Sequence, residues 1–237
     1  AGCTDLSVHS LKDLPTTLPD GLSLTAVSPR ADVRDALISQ EGLSLEDLPR
    51  NARVATSSLR RLALLRSERP DLQLLPLRGN IDTRIKKLES EGLDAIVLAG
   101  AGLQRLGLDS HITELLDSNT FTPAAAQGVM GIVSRADDDR VAALLDVIED
   151  ADARFAVTAE RAALAELGGG CRIPFGAWAR LEGDTFVLDG VVAHPERGTP
   201  VRSQIRGVTG QATEMGLELA ATLRDGGGAE ILEEVLA

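Results

Sequence analysis

The chain has 237 residues, 43% of them apolar but only 2% aromatic, with no tyrosine, one tryptophan and a formal net charge of -12. That aliphatic content can build cores for one large or two to three small domains. The scarcity of aromatic rings and the acidic balance argue against a nucleic-acid binder, which needs stacking platforms and a basic face. No apolar stretch approaches the roughly 20 residues of a membrane-spanning helix, so no membrane partner is expected. Two cysteines, Cys3 and Cys171, are too few for a disulfide framework, and a reducing compartment follows: the cytoplasm, or a plastid if a transit peptide has been removed. The opening Ala-Gly-Cys runs straight into strand-like sequence, and a leading segment is expected to precede it.

Residues 4–9 alternate as a strand does, and Leu14-Pro15 holds residue 14 extended, which leaves residues 10–13 in a loop. Residues 22–27 (LSLTAV) predict a second strand and residues 29–34 (PRADVR) a polar connector, with a boundary near residue 30. Strand, turn and helix then alternate: 53–55 into 59–67, 72–77 into 83–89, and 94–98 into 103–108. This rhythm predicts a parallel sheet with right-handed crossovers and a ligand site beyond the carboxyl ends of its strands. Residues 122–131 (TPAAAQGVMG) read as a hinge that returns the chain to its first domain, followed by strand at 132–133 and helix over 137–146. Beyond about residue 151, an Ala-rich helix (151–167) is stopped by Gly168-Gly169-Gly170. Strands at 177–181, 185–193 and 201–206, a turn at Gly183-Asp184 and helices at 211–224 and 229–236 complete a small α+β unit.

Three segments carry arginine where a short apolar run gives way to a helix: 52–61 (ARVATSSLRR), 74–84 (LLPLRGNIDTR) and 95–105 (AIVLAGAGLQR). A helix N-terminus carries unpaired N–H groups and partial positive charge, so arginine there calls for a negative ligand to offset the clash. Arg60, Arg61, Arg78, Arg84 and Arg105 taken singly read as solvated surface side chains; taken jointly they read as planar donor forks for a ligand with several carboxylates or phosphates. Thr56, Ser57 and Ser58 add hydroxyl donors and a cap. Asp13 is a turn or salt-bridge residue unless it faces this cationic group, where it would stabilise a cation and relay protons, with Lys12 joining the clamp. Cys171 lies in a Gly-rich loop beside Arg172, which favours its thiolate, and Cys3 reads as packing. A triad of His9, Ser10 and Asp13 is disfavoured by their closeness in sequence, and neither the histidines nor the cysteines have metal-ligand spacing.

The segments 8–15 (VHSLKDLP), 29–36 (PRADVRDA), 56–61 (TSSLRR), 77–84 (LRGNIDTR), 98–108 (LAGAGLQRLGL) and 169–174 (GGCRIP) closely resemble the porphobilinogen deaminases, or hydroxymethylbilane synthases, of tetrapyrrole biosynthesis. The resemblance implies an α/β protein of two periplasmic-binding-protein-like (type II) domains, 1–29 with 129–147 and 33–123, and a third small α+β domain, 150–237. It implies a transferase that joins porphobilinogen units head to tail, losing ammonia each time, on a dipyrromethane primer, and releases hydroxymethylbilane by hydrolysis. Carried over by motif, Cys171 holds the primer by a thioether and Asp13 is the catalytic carboxylate. Lys12, Ser10, Thr56, Ser58, Arg60, Arg61, Arg78, Arg84 and Gly102 would bind the cofactor, Arg105 and Gln127 the substrate, and no metal is implied. A monomer acting on a small-molecule substrate is expected. Two departures stand out: the family's early segments are absent, and Ala126 stands where glycine usually precedes the glutamine. A non-catalytic bilobal anion-binding module and an inactive fragment are the competing readings. On this view Arg60→Leu or Arg61→Leu impairs primer assembly more than stability.

Overall fold

The computed structural model describes residues 4–169, 173–197 and 199–237. Strands β1 (Leu6–Ser10) and β2 (Leu22–Val27) are the two edges of an antiparallel sheet. The chain then crosses to β3 (Asp35–Ser39), β4 (Arg53–Ala55), helix α1 (Leu59–Glu68), β5 (Gln73–Leu75), α2 (Ile81–Ser90), β6 (Ala95–Ala99), α3 (Gly100–Arg105) and β7 (Glu114–Leu115). These strands form a second sheet in the order β5-β4-β6-β3-β7. A return crossing leads to β8 (Met130–Arg135), which slots between β1 and β2, so the chain does come back to its first sheet. After α4 (Asp139–Leu145) and α5 (Ala151–Glu166), β9 (Phe175–Glu182), β10 (Thr185–Val192) and β11 (Val201–Gly207) make an antiparallel third sheet. Helices α5 and α6 (Ala212–Leu223) pack on it around Phe186, Leu188 and Leu219; α7 (Ala229–Leu236) ends the chain. Among the described residues no helix is long and apolar enough to cross a membrane.

Two sequence expectations need correction here. The second sheet is mixed: β4 runs parallel to β5 and β6, but β3 runs antiparallel to β6 and β7. The strand at β3 does not betray itself by alternation, because all five of its residues are buried, including Asp35. Residues 10–13 are likewise more than a loop: Leu11–Asp13 form a single 3-10 turn, pinned by fully buried Leu11 and its N–H on the Val129 carbonyl at 2.9 Å. Leu14 is extended, as the following proline requires.

The outward and return crossings between the first two sheets lie side by side. Ala31 donates to the Gly128 carbonyl at 3.0 Å, and a Cβ on Gly128 (φ +89°) would meet the Ala31 oxygen at 2.8 Å, so only glycine allows this approach. Ala126 also has a positive φ, 64°, and its N–H is held at 2.6 Å by the buried Glu160 carboxylate. Glu160 of α5 accepts both terminal nitrogens of Arg30 at 2.7 Å and the Ala179 N–H at 2.7 Å. One carboxylate thus ties the outward crossing, the return crossing and the third sheet together, with every oxygen satisfied.

Candidate active site

Where β1 ends, the short 3-10 turn carries Lys12, half-buried, and Asp13, exposed, into a cleft between the three sheets. One cavity of about 510 Å³ is lined by Lys12, Asp13, Thr56, Ser58, Arg60, Arg61 and Arg84, with Ile173 and Phe175 on its far wall. A second, of about 490 Å³, is lined by Ser10, Gly102, Arg105 and Asp82. Lys12, Asp13, Arg61, Arg84 and Gln127 border both, so the two cavities are arms of one cleft with Asp13 at their junction. The parallel strands β4 and β6 point their carboxyl ends to the same side, which is why the loops after them meet.

The arginine-led helix starts hold in one case of three. Helix α1 does open Leu59-Arg60-Arg61, capped by Ser58, whose Oγ accepts the Arg61 N–H at 3.4 Å. Arg84 lies a turn inside α2, which is capped by Asn80, and Arg105 closes α3, where a cation suits the helix dipole. The counter-charge for α1 comes from within the chain. Asp35, fully buried, accepts from Arg60 Nη1 at 2.8 Å and Nη2 at 3.2 Å, and from Arg61 Nη2 at 2.8 Å. Burial opposes its ionisation, but the two guanidinium groups outweigh it and hold the carboxyl well below the usual range. Sequence reasoning missed Asp35: it stands in the 29–36 segment that carries the resemblance, but nothing in that segment marks its carboxylate as a partner of the arginines 25 residues on.

The donors therefore differ in how much remains for a ligand. Arg60 is 3% exposed and also donates to the Thr122 carbonyl at 2.8 Å, so its terminal nitrogens are largely engaged. Arg61 gives Nη1 to the Val97 carbonyl at 3.2 Å. Arg84, half-buried, gives only Nε, to the Gly79 carbonyl at 2.7 Å, among the described residues. Arg105 reaches the Gly128 carbonyl at 2.6 Å. Gln127 donates to the Val33 carbonyl at 2.7 Å and to Asp35 Oδ1 at 2.9 Å, and its Oε1 accepts Lys12 Nζ at 3.4 Å. Arg78, between β5 and α2, is exposed and lines neither arm. His9 bonds Ser7 Oγ at 2.8 Å, away from any triad with Ser10 and Asp13. Cys3 and Cys171 lie outside the described residues. Among those described, no group of three or more His, Cys, Asp or Glu side chains could hold a metal ion.

A cleft with clustered guanidinium and ammonium groups, hydroxyl donors and one accessible carboxylate, in a chain that is acidic as a whole, defines an α/β protein that handles a multiply charged anion. Two family models match it: "Porphobilinogen deaminase, dipyromethane cofactor binding domain" over residues 1–143 and "Porphobilinogen deaminase, C-terminal domain" over residues 154–225. The chain is 52% identical over 232 residues to the porphobilinogen deaminase of Roseiflexus sp. (strain RS-1), spanning 98% of this chain and 76% of that protein. It is 45% identical over 235 residues to that of Syntrophus aciditrophicus (strain SB), spanning 99% and 77%. The chain belongs to the porphobilinogen deaminase family. It is a transferase that condenses porphobilinogen head to tail with loss of ammonia on a dipyrromethane cofactor and releases hydroxymethylbilane, not a non-catalytic anion-binding module.

Proposed function

We propose that Asp13 is the catalytic carboxylate of this condensation and that the cleft around it is the clamp for the carboxylates of cofactor and substrate. The observation that carries the reading is the position of Asp13: the one exposed carboxylate at the junction of both arms, ringed by Lys12, Arg61 and Arg84. The donor set suits the dipyrromethane, whose pyrroles each bring two carboxylates, because planar guanidinium forks, an ammonium and the Thr56 and Ser58 hydroxyls all donate to carboxylate oxygen. When bound, that group supplies the pyrrole carbon to which the next unit is joined. Lys12, Arg61 and Arg84, with Ser10, Thr56, Ser58 and Gly102, would hold its side chains; Arg105 and Gln127 would border the place of the incoming substrate. As ammonia leaves the substrate, the Asp13 carboxylate stabilises the cation left behind, and its Oδ atoms then accept the proton released when the new bond forms.

Cys171 is the attachment point in this reading, and Ile173, two residues on, lines the first arm. Intact mass tests it directly: the purified protein should carry a dipyrromethane adduct and colour with a pyrrole-reactive dye, and Cys171→Ser should abolish both along with activity. An active, unmodified full-length protein would refute the tether. The same reading divides the chain into residues 1–29 with 129–147, 33–123 and 150–237, supported by one sheet in each, the first two resembling periplasmic-binding-protein halves. It also takes the protein as a monomer and as cytoplasmic, in keeping with the reducing compartment that two cysteines favour.

Lys12 gives the clamp a pH dependence. Burial first, then Arg61, lowers its amine from 10.5 to about 8. Because folding lowers this pKa, the charged form costs the empty protein stability below about pH 8, and the cost fades as pH rises toward 10.5. A ligand carboxylate reverses that bias, so anion binding is strongest with Lys12 charged and weakens as pH climbs through about 8. The kcat/KM for porphobilinogen should fall over that range, and Lys12→Gln should lower and flatten the limb; a wild-type limb in that variant removes Lys12 from the clamp.

A further inference from the structure

Asp35 has no part in the roles assigned so far, yet it organises most of the cationic wall. Its carboxylate is fully buried and meets Arg60 in a two-pronged pair, Arg61 at 2.8 Å and the Gln127 amide at 2.9 Å. The Gln127 amide is oriented by chemistry alone: its nitrogen faces the Val33 carbonyl and Asp35 Oδ1, both pure acceptors, so its oxygen must turn to Lys12. A continuous chain therefore runs from Asp35 through Gln127 to Lys12, and directly from Asp35 to Arg61. Both ends of it border the two arms of the cleft. Any buried carboxylate needs such donors; what distinguishes Asp35 is that two of its partners, Arg61 and Gln127, and Lys12 beyond Gln127, border both arms of the cleft.

We propose that Asp35 is a positioning residue for the condensation: its carboxylate sets the direction of the Arg61 guanidinium and, through Gln127, of the Lys12 ammonium, so that both meet the ligand carboxylates. The inference rests on the reading above that Lys12 and Arg61 are carboxylate donors. It also bears on the charge of Lys12. The groups that face Lys12 are Asp13 on its own turn, Arg60 and Arg61 of α1 and Asp35 of β3, while Arg84 of α2 and Arg105 of α3 line the same arm. Asp13 and Asp35 favour the ammonium and the arginines oppose it. Removing the charge of Asp35 leaves only Asp13 against them, which moves the titration of Lys12 to lower pH.

The test is the pH-dependent steady-state kinetics of Asp35→Asn holoenzyme, its cofactor load verified by intact mass. The expected result is a KM for porphobilinogen raised on the order of tenfold, the size of one weakened charge-assisted contact, with a smaller change in kcat and an alkaline limb displaced to lower pH. A folded, loaded Asp35→Asn enzyme with wild-type KM and wild-type limb overturns the proposal. Should Asp35→Asn not fold, Asp35→Glu carries the same test: it keeps the charge but moves the oxygens, so KM should rise while the limb stays, and an unchanged KM overturns the proposal. Arg61→Leu separates the two claims. Normal cofactor load and KM in Arg61→Leu defeat the clamp itself, whereas an impaired Arg61→Leu beside a normal Asp35→Asn defeats only the positioning role.

Discussion

Asp13→Asn is expected to lower turnover of porphobilinogen on the order of 10²–10⁴-fold while leaving fold and cofactor load unchanged. The substitution keeps the shape of the side chain and removes both its charge and its capacity to take a proton, the two properties the condensation draws on. Asp13 is exposed on a 3-10 turn whose anchor is Leu11, so nothing in the core depends on its carboxylate. The measurement is single-turnover consumption of porphobilinogen, with circular dichroism and intact mass as controls on fold and loading. Near-normal turnover in a folded, loaded variant would show that Asp13 only decorates the mouth of the cleft.

Arg60→Leu is expected to unfold far more easily than the sequence suggests. Read from the motif alone, its loss impairs primer assembly more than stability; in the fold, Arg60 is 3% exposed and makes a two-pronged pair with fully buried Asp35. Removing one partner of a buried pair leaves an under-compensated charge and costs about 3–5 kcal/mol. The Thr122 carbonyl at the return crossing loses its donor as well. Urea denaturation checks the figure, with Arg84→Leu as the comparison. Arg84 is half-buried and bonds only the Gly79 carbonyl among the described residues, so its loss should change unfolding free energy by less than about 1 kcal/mol while still weakening anion binding. Equal stability of the two variants would mean that Arg60 belongs to the clamp rather than to the core.

Much of the molecule was legible from the sequence by itself. Apolar alternation and turn residues gave β2 at Leu22–Val27, the three strands of the third sheet with the Gly183-Asp184 turn, and the long helix α5 stopped by glycines, because these depend on local propensity and on which face of one element is buried. The motifs likewise carried the family, and with it the reaction and the cofactor. What the sequence could not carry is pairing across distance. The antiparallel direction of β3, hidden in a strand buried on both faces, is decided by its neighbours β6 and β7. The negative partner that the arginines of α1 called for proved to be Asp35, 25 residues before Arg60, and not a bound anion alone. Glu160 joins both crossings to the third sheet for the same reason as Asp35 holds the arginines of α1: a charge in a desolvated interior must find its counter-charge wherever the packed chain brings one within reach, and that distance is fixed only when the three sheets have met.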